Sequence, residues 1–222
     1  MSHRRPVQAA IFDMDGLLID SEPFWHQSEL EIFSELGLSL TEAEGMPDTL
    51  GLRIDQVVSL WYDAMPWTGP SQAEVAERII ARVIARVEET RPLLPGVREA
   101  LELCKREGLK IGLASASPLF MLERMMALFD LRGYFDVLAS AGELPYSKPH
   151  PQVYLDAARG LGIDPLNCVT LEDSFNGMIA TKAARMRSIV VPAAENRQDA
   201  RWALADVQLG SLTELTAAHL KG

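Results

Sequence analysis

The sequence predicts an α/β fold, a doubly wound parallel sheet with an all-helical cap domain inserted after the first strand. Three observations carry that expectation. Short apolar runs recur along the chain without strict in/out alternation, as strands buried on both faces require. Stretches of helical periodicity separate most of these runs, and strand alternating with helix builds a parallel sheet. Between about residues 21 and 90 the alternation stops, and helical spacing alone remains.

The six strand-like runs are Val7–Asp13, Lys110–Ala114, Val137–Ser140, Val169–Glu172, Ser188–Val191 and Val207–Leu209. Among the helical patterns, Val97–Arg106 puts Val97, Leu101 and Cys104 on one face, and Leu119–Phe129 does the same for Leu119, Leu122, Met126 and Phe129. Gln152–Leu161 and Phe175–Arg185 follow the same rule. Within the insert, Leu30, Phe33 and Leu36 stand at helical spacing, then Ile54, Val57, Val58 and Trp61. Val75, Ile79, Val83 and Val87 then recur in steps of four, an amphipathic stripe. Residues 91–96, Arg-Pro-Leu-Leu-Pro-Gly, read as the return linker. The expected division is a core of residues 1–20 and 91–222 and a cap of residues 21–90, with the linkers as hinges.

Composition narrows the partners. Of 222 residues, 48% are hydrophobic and 23% charged, ordinary for a soluble globular chain with a sizeable core. Lys and Arg total 21 against 31 Asp and Glu, a formal charge of −10. Such a surface argues against nucleic acid and anionic membrane as partners, and an anionic substrate needs a local cationic site. Cys104 and Cys168 fit buried free thiols of a reducing cytoplasm better than a disulfide. The basic opening Ser2-His3-Arg4-Arg5 resembles an export signal, but the apolar run after it stops at Asp13, too short for one. No stretch approaches the roughly 20 apolar residues of a membrane span. A cytoplasmic location is expected.

In open parallel sheets, sites form at the carboxyl ends of the strands. After the first strand stand Asp13 and Asp15, two residues apart, so both carboxylates leave the extended chain on one side. Two like charges so close invite a hard divalent cation, although Asp-x-Asp-Gly also reads as a turn. After the second strand, Ser115-Ala116-Ser117-Pro118 opens a helix, with Ser117 read as N-cap and Pro118 as first helical residue. That puts Ser115 and the Ala116 amide where phosphate binds readily. Lys148, in a loop stiffened by Pro149 and Pro151, can aim one ammonium at the same edge or lie in solvent; His150 reads as structural or exposed. After the fourth strand, Glu172 and Asp173 open another helix, either as a second carboxylate pair or as capping charge. Independent capping accidents would not supply carboxylates, hydroxyl, ammonium and carboxylates at one sheet edge.

As a set these residues resemble the motifs of the haloacid dehalogenase-like hydrolase superfamily, in its helical-cap branch. Asp13-Met14-Asp15-Gly16, extended through Asp20-Ser21-Glu22, resembles the first motif, and Ser115 the second. Lys148-Pro149-His150-Pro151 resembles the third, although Gln152 stands where the branch often has Asp. Leu171-Glu172-Asp173-Ser174 with Asn176-Gly177 resembles the fourth. The resemblance spans nearly the whole chain and implies a Rossmann-like core. It extends to sugar phosphatases acting on 2-deoxyglucose 6-phosphate and on hexitol and hexose phosphates.

The resemblance implies the following roles. Asp13 is the nucleophile that forms an aspartyl-phosphate, and Asp15 the general acid and base. Mg²⁺, with Mn²⁺ or Co²⁺ in substitution, is held by the Asp13 carboxylate, the Asp15 backbone carbonyl and the Asp173 carboxylate. Ser115, the Ala116 amide and Lys148 bind the transferring oxygens, while Glu172 and Asn176 are supporting groups. The partner is a small phosphate ester, and the branch is often monomeric.

Relatives with other chemistry are weighed on single residues. Dehalogenases lack a second carboxylate such as Asp15. Phosphonate-cleaving relatives need a cap lysine, yet the first lysine of this chain is Lys105. A sugar phosphomutase of the β-phosphoglucomutase type shares all four motifs and must bind a second phosphate through the cap. Arg53 is the candidate for that, or else an exposed or cap-packing residue. An inactive sensor or interaction protein on this fold is disfavoured by intact Asp13, Asp15, Lys148 and Asp173. Gly51 allows close backbone approach by the cap. Trp25, His26, Trp61 and Trp67 offer rings to a sugar or to the cap core; Trp61 reads as core, and Trp67 stays open.

Overall fold

The computed structural model describes residues 5–38 and 49–221. Strand β1 (Ala9–Phe12) comes first, followed by three helices, α1 (Glu22–Glu35), α2 (Ile54–Ala64) and α3 (Gln72–Thr90). Then strand and helix alternate: α4 (Val97–Arg106), β2 (Lys110–Ser115), α5 (Leu119–Leu128), β3 (Val137–Ser140), α6 (Gln152–Leu161), β4 (Cys168–Glu172), α7 (Phe175–Ala183), β5 (Arg187–Val190) and β6 (Val207–Gln208), with a short α8 (Ala217–Lys221). All five strand pairings are parallel, in the order β3-β2-β1-β4-β5-β6. The expected six-stranded doubly wound sheet is therefore present. Strand limits move by one or two residues at most ends, because pairing rather than apolarity decides where a strand stops. Arg187 pairs with Val169, for example, so β5 begins before its apolar run.

The two faces of β1 explain the winding. Ala9 and Ile11 join the apolar cluster of Val153, Tyr154 and Leu161 on α6. Ala10 and Phe12 point the other way, into the cluster of Leu101, Met121 and Leu122 on α4 and α5. Four buried residues in a row thus read as one continuous apolar run. Chain direction across the sheet reverses between β1 and β4, which makes their carboxyl ends the switch point where ligands bind.

In the inserted helical cap, α1 and α2 both pack on α3. The stripe Val75, Ile79, Val83 and Val87 is buried as its spacing predicts. Phe33 stacks on Trp61 at 4.5 Å, and Tyr62 meets Trp67 edge-on at 4.7 Å. Trp67 donates its indole N–H to the Pro70 carbonyl at 3.0 Å, so both Trp61 and Trp67 belong to the cap core. Two expectations need correction. On α1 the buried apolar residues are Ile32 and Phe33, and Leu30 is only partly buried. Leu119 is 49% exposed: it is the first residue of α5, ahead of the turns that reach the sheet, and Met121, Leu122, Met125 and Met126 are buried instead.

The two connections to the cap run side by side. Asp20 donates its N–H to the Pro92 carbonyl at 2.8 Å, and Leu94 donates to Leu18 at 2.9 Å. A bridge between Ile19 and Leu93 completes the pair, which forms a narrow joint under the cap. Cys104 and Cys168 are buried and free, and burial pushes both thiols up to about 12. Among the described residues no helix is long and apolar enough to cross a membrane.

Candidate active site

Register levels the strand ends that carry the chemistry. Phe12 pairs with Leu113 on one side and Leu171 on the other, so Asp13, Ser115 and Glu172-Asp173 emerge at one edge. Asp13 is still tied to the sheet, its N–H bonded to the Leu171 carbonyl at 3.0 Å. Gly16 follows with φ 74°, and a side chain there would fall on the Asp173 carboxylate, so only glycine lets the two loops meet.

Lys148 lies wholly inside this edge, 1% exposed. Its Nζ donates to Asp13 Oδ1 at 2.7 Å and to Glu172 Oε1 at 2.6 Å. Burial opposes the Lys148 charge, but the Asp13 and Glu172 carboxylates outweigh it and hold the ammonium above its ordinary value. Burial pushes Asp13 up to about 8 although Lys148 pulls it down. Asp173 is likewise driven up, by burial first and then by Glu172 and Asp13. Burial and the nearby Asp15 also raise Glu22, at the start of α1, to about 8. The site therefore gathers more carboxyl groups than Lys148 alone can keep ionised.

That imbalance fits a cation. Asp13, Glu172 and Asp173 gather within 4.8 Å of one another, a spacing suited to a metal ion. Asp173 Oδ1 is buried without a hydrogen-bond partner among the described residues, an oxygen that a cation would satisfy. Glu172 is a poor ligand despite its position. Its Oε1 accepts from Lys148 and from the Tyr154 hydroxyl at 2.5 Å. Its Oε2 accepts from the Asp173 and Ser174 amides, both at 3.1 Å, and from Ser174 Oγ at 3.0 Å. With both oxygens filled, Glu172 acts as the bracket for Lys148, and Asp13 and Asp173 are left to meet a hard divalent ion.

Asp15 sits in a different environment. Its Oδ1 accepts from Ser21 Oγ at 2.7 Å and from Trp25 Nε1 at 3.0 Å. Its Oδ2 accepts from Ser117 Oγ at 2.8 Å and from Ser115 Oγ at 3.4 Å. The reading of Ser117 as an N-cap is thereby corrected: Pro118 holds the cap position, and the Ser117 hydroxyl goes to a charged acceptor, the stronger bond. Ser117, Ser21 and Tyr154 are the site residues that sequence reasoning missed. For Ser21 and Ser117 a hydroxyl beside a motif was the available signal.

Asp13, Asp15, Ser115, Ala116, Lys148 and Asp173 all line one cavity of about 430 Å³ between core and cap. Glu172 stands behind that wall. Asn176 also stands apart, donating to the Leu50 carbonyl of the cap at 2.9 Å. Next to Leu50, Gly51 has φ 75°, and a side chain there would strike Ser174. Arg53 fastens the same loop, since Nη1 donates to the Ala141 and Leu144 carbonyls, both at 2.6 Å. Its Nε and Nη2 grip Asp55 at 2.6 and 2.7 Å. Trp25, His26 and Glu29 line the roof from α1. His150 is exposed beside Tyr146, away from the cavity.

An acidic site at the carboxyl edge of a parallel sheet, closed by a helical cap, defines a class: the capped phosphoric monoester hydrolases. The chain belongs to the haloacid dehalogenase-like hydrolase family, whose model matches residues 7–185. Hexitol phosphatase B of Escherichia coli strain K12 is 67% identical over 222 residues, the full length of both chains. A variant of CbbY from Rhodobacter sphaeroides, crystallised with xylulose 1,5-bisphosphate, has a TM-score of 0.85 at 28% identity, covering 97% of this chain and 100% of that one. A β-phosphoglucomutase from Clostridium difficile reaches a TM-score of 0.82 at 24% identity over 96% and 95% of the two chains, a likeness of fold.

Proposed function

We propose that this protein is a magnesium-dependent sugar phosphatase that hydrolyses small sugar monophosphates, with hexitol phosphates, 2-deoxyglucose 6-phosphate and hexose phosphates as the substrate range. The supporting likeness is the 67% identity to hexitol phosphatase B. The observation that carries the chemistry is the contrast between two carboxylates on one cavity floor. Asp13 is buried against Lys148, which occupies Oδ1 and leaves Oδ2 without a partner among the described residues. Asp15 is ringed by hydroxyl and indole donors on both oxygens. One carboxylate keeps an oxygen from which to attack, and the other is fixed in place by its donors to pass a proton.

In the proposed reaction Asp13 Oδ2 attacks phosphorus, and the bond to the sugar oxygen breaks. The Asp15 carboxyl protonates that leaving oxygen. Asp15, now a carboxylate, takes a proton from water as the water oxygen attacks the aspartyl-phosphate, and inorganic phosphate leaves with Asp13 restored. Lys148, Ser115 and the Ala116 amide hold the transferring oxygens, where one such donor is worth roughly 10²–10³ in kcat. Asp13 and Asp173, with the Asp15 carbonyl, would hold Mg²⁺, which when bound screens the nucleophile from the phosphate and gathers transition-state charge. Residues 21–90 act as the cap, residues 1–20 and 91–222 as the core, and the paired linkers as the joint of a lid that excludes water. A cytoplasmic location, on the buried free thiols, and a monomeric state complete the proposal.

Arg53 favours hydrolysis over the mutase reading. Its guanidinium is committed to Asp55 and two carbonyls, so a second phosphate would have to displace those bonds. With a hexose 1-phosphate and Mg²⁺, release of inorganic phosphate is expected, and a 6-phosphate product would reverse the assignment. Asp13→Asn is expected to abolish phosphate release while thermal unfolding stays cooperative; turnover persisting in that variant would sink the mechanism.

A further inference from the structure

We propose that Glu29 reads the leaving group: its carboxylate accepts hydrogen bonds from the hydroxyls of an uncharged polyol chain and repels a second anion at that end of the cavity. The inference deepens the sugar phosphatase reading and rests on it.

Helix α1 presents Glu22, Trp25, His26 and Glu29 to the cavity, the i, i+3, i+4, i+7 face of one helix. Glu22 marks the phosphoryl end, because Asp15 and Asp13 act on its charge more than Glu29 does. Glu29 stands seven residues on, roughly 10 Å along the helix axis. A phosphate seated at Asp13 therefore directs its alcohol along α1 towards Glu29, over a length that an extended hexitol phosphate spans.

Glu29 is half-buried, and among the described residues it has no hydrogen-bond or ion-pair partner. Burial raises it from the usual 4.5 to about 7. A desolvated carboxyl without a partner on a cavity wall is a costly arrangement that hydrogen bonds from a bound ligand relieve.

The charge of the wall selects the kind of ligand. Lys148 stands at the phosphoryl end, bonded to Asp13 and Glu172, and Arg53 is spent on Asp55 and the core carbonyls. Beyond Glu22 and Glu29, Asp20 and Glu195 also face the cavity. A second phosphate, or a carboxylate on the leaving group, meets like charge there. A hydroxyl instead makes a charge-assisted bond to Glu29. The cavity therefore takes monophosphates of neutral polyhydroxy alcohols and rejects bisphosphates and phospho-acids.

The test measures kcat/KM with Mg²⁺ for a hexitol 6-phosphate, a hexose bisphosphate and p-nitrophenyl phosphate, whose leaving group bears no alcohol hydroxyl. Wild type is compared with Glu29→Gln, Glu29→Ala and Glu29→Lys, each checked for a cooperative melt. In Glu29→Ala the ratio of hexitol phosphate to p-nitrophenyl phosphate is expected to fall about tenfold or more, chiefly through KM. Glu29→Gln, close in shape, is expected to fall less. Glu29→Lys is expected to raise the bisphosphate relative to the hexitol phosphate by about tenfold. Equal losses on all three esters, or unchanged ratios, overturn the inference. The wild-type column alone tests the underlying reading, which fails if p-nitrophenyl phosphate is cleaved and no hydroxylated monophosphate is.

Discussion

Trp25 donates its indole N–H to Asp15 Oδ1 at 3.0 Å, so a residue of the cap fixes one oxygen of the carboxylate assigned to proton transfer. Ser21 shares that oxygen from the joint itself. In the proposed lid motion this bond must break or hold, which would couple cap position to the rotamer of Asp15. Trp25→Phe retains the ring and removes the donor. Hydrogen bonds to charged groups contribute about 1.5–3 kcal/mol, so kcat is expected to fall roughly tenfold or more. The KM for p-nitrophenyl phosphate is expected to change less, as measured by steady-state kinetics. A kcat within twofold of wild type would show that Ser21 and Ser117 position Asp15 without help from the cap.

Lys148 is the ammonium that stands between the buried Asp13 and Glu172 carboxylates. Removing one member of a buried charged group leaves its partners uncompensated and costs about 3–5 kcal/mol. Lys148→Met is therefore expected to lower the melting temperature sharply in EDTA and to abolish phosphate release. Added Mg²⁺ is expected to return part of the lost stability, because a cation relieves the same repulsion. Equal melting of Lys148→Met and wild type in EDTA would mean that these carboxylates are already protonated, and the charge argument would fail.

Asp173 offers a separate test of the cation. Its Oδ1 lacks a hydrogen-bond partner among the described residues, and its carboxyl is crowded by Glu172 and Asp13. A ligand that binds only the folded state at a hundred times its Kd adds about 2.7 kcal/mol. Mg²⁺ is expected to raise the melting temperature of the wild type, and Asp173→Asn to lose that shift while melting no lower than wild type in EDTA. A full Mg²⁺ shift in Asp173→Asn would remove Asp173 from the ligand set.

The sequence marks the site wherever function sits at a strand end, because an apolar run followed by Asp13, Ser115 or Asp173 is a local pattern. The sheet was legible for the same reason. What escaped depends on contacts far apart in sequence. Tyr154 reaches Glu172 from the first turn of α6, in a stretch whose apolar spacing already accounts for it. Arg53 hooks carbonyls 88 and 91 residues away, which no local rule discloses. Ser117 misled because a Ser-Pro helix start satisfies a local rule that a nearby carboxylate overrode. Trp67 could not be placed from Pro66-Trp67-Thr68-Gly69-Pro70, since its burial is decided by Phe33 and Tyr62.

Glu29 yields a prediction independent of catalysis. Burial raises its carboxyl from 4.5 in the unfolded chain to about 7 in the folded one. Between those two values the native state holds more protons than the unfolded state, so stability falls as pH rises through the window. Below about pH 4.5 both states are protonated and the burial cost vanishes; above about pH 7 the cost is complete. The full shift corresponds to about 3 kcal/mol, and partial solvent access reduces this to about 1–2 kcal/mol. Glu29→Gln removes the titration and keeps the shape. At about pH 8 the variant is expected to melt roughly 3–6 °C above wild type, and the two are expected to converge towards about pH 5. The direction matters: an ordinary ion-paired glutamate would make the variant less stable at pH 8, and a purely structural one would give an offset independent of pH. A melting difference that widens with pH in favour of Glu29→Gln therefore identifies a carboxylate kept without a partner at a cost in stability, as a group reserved for ligand would be.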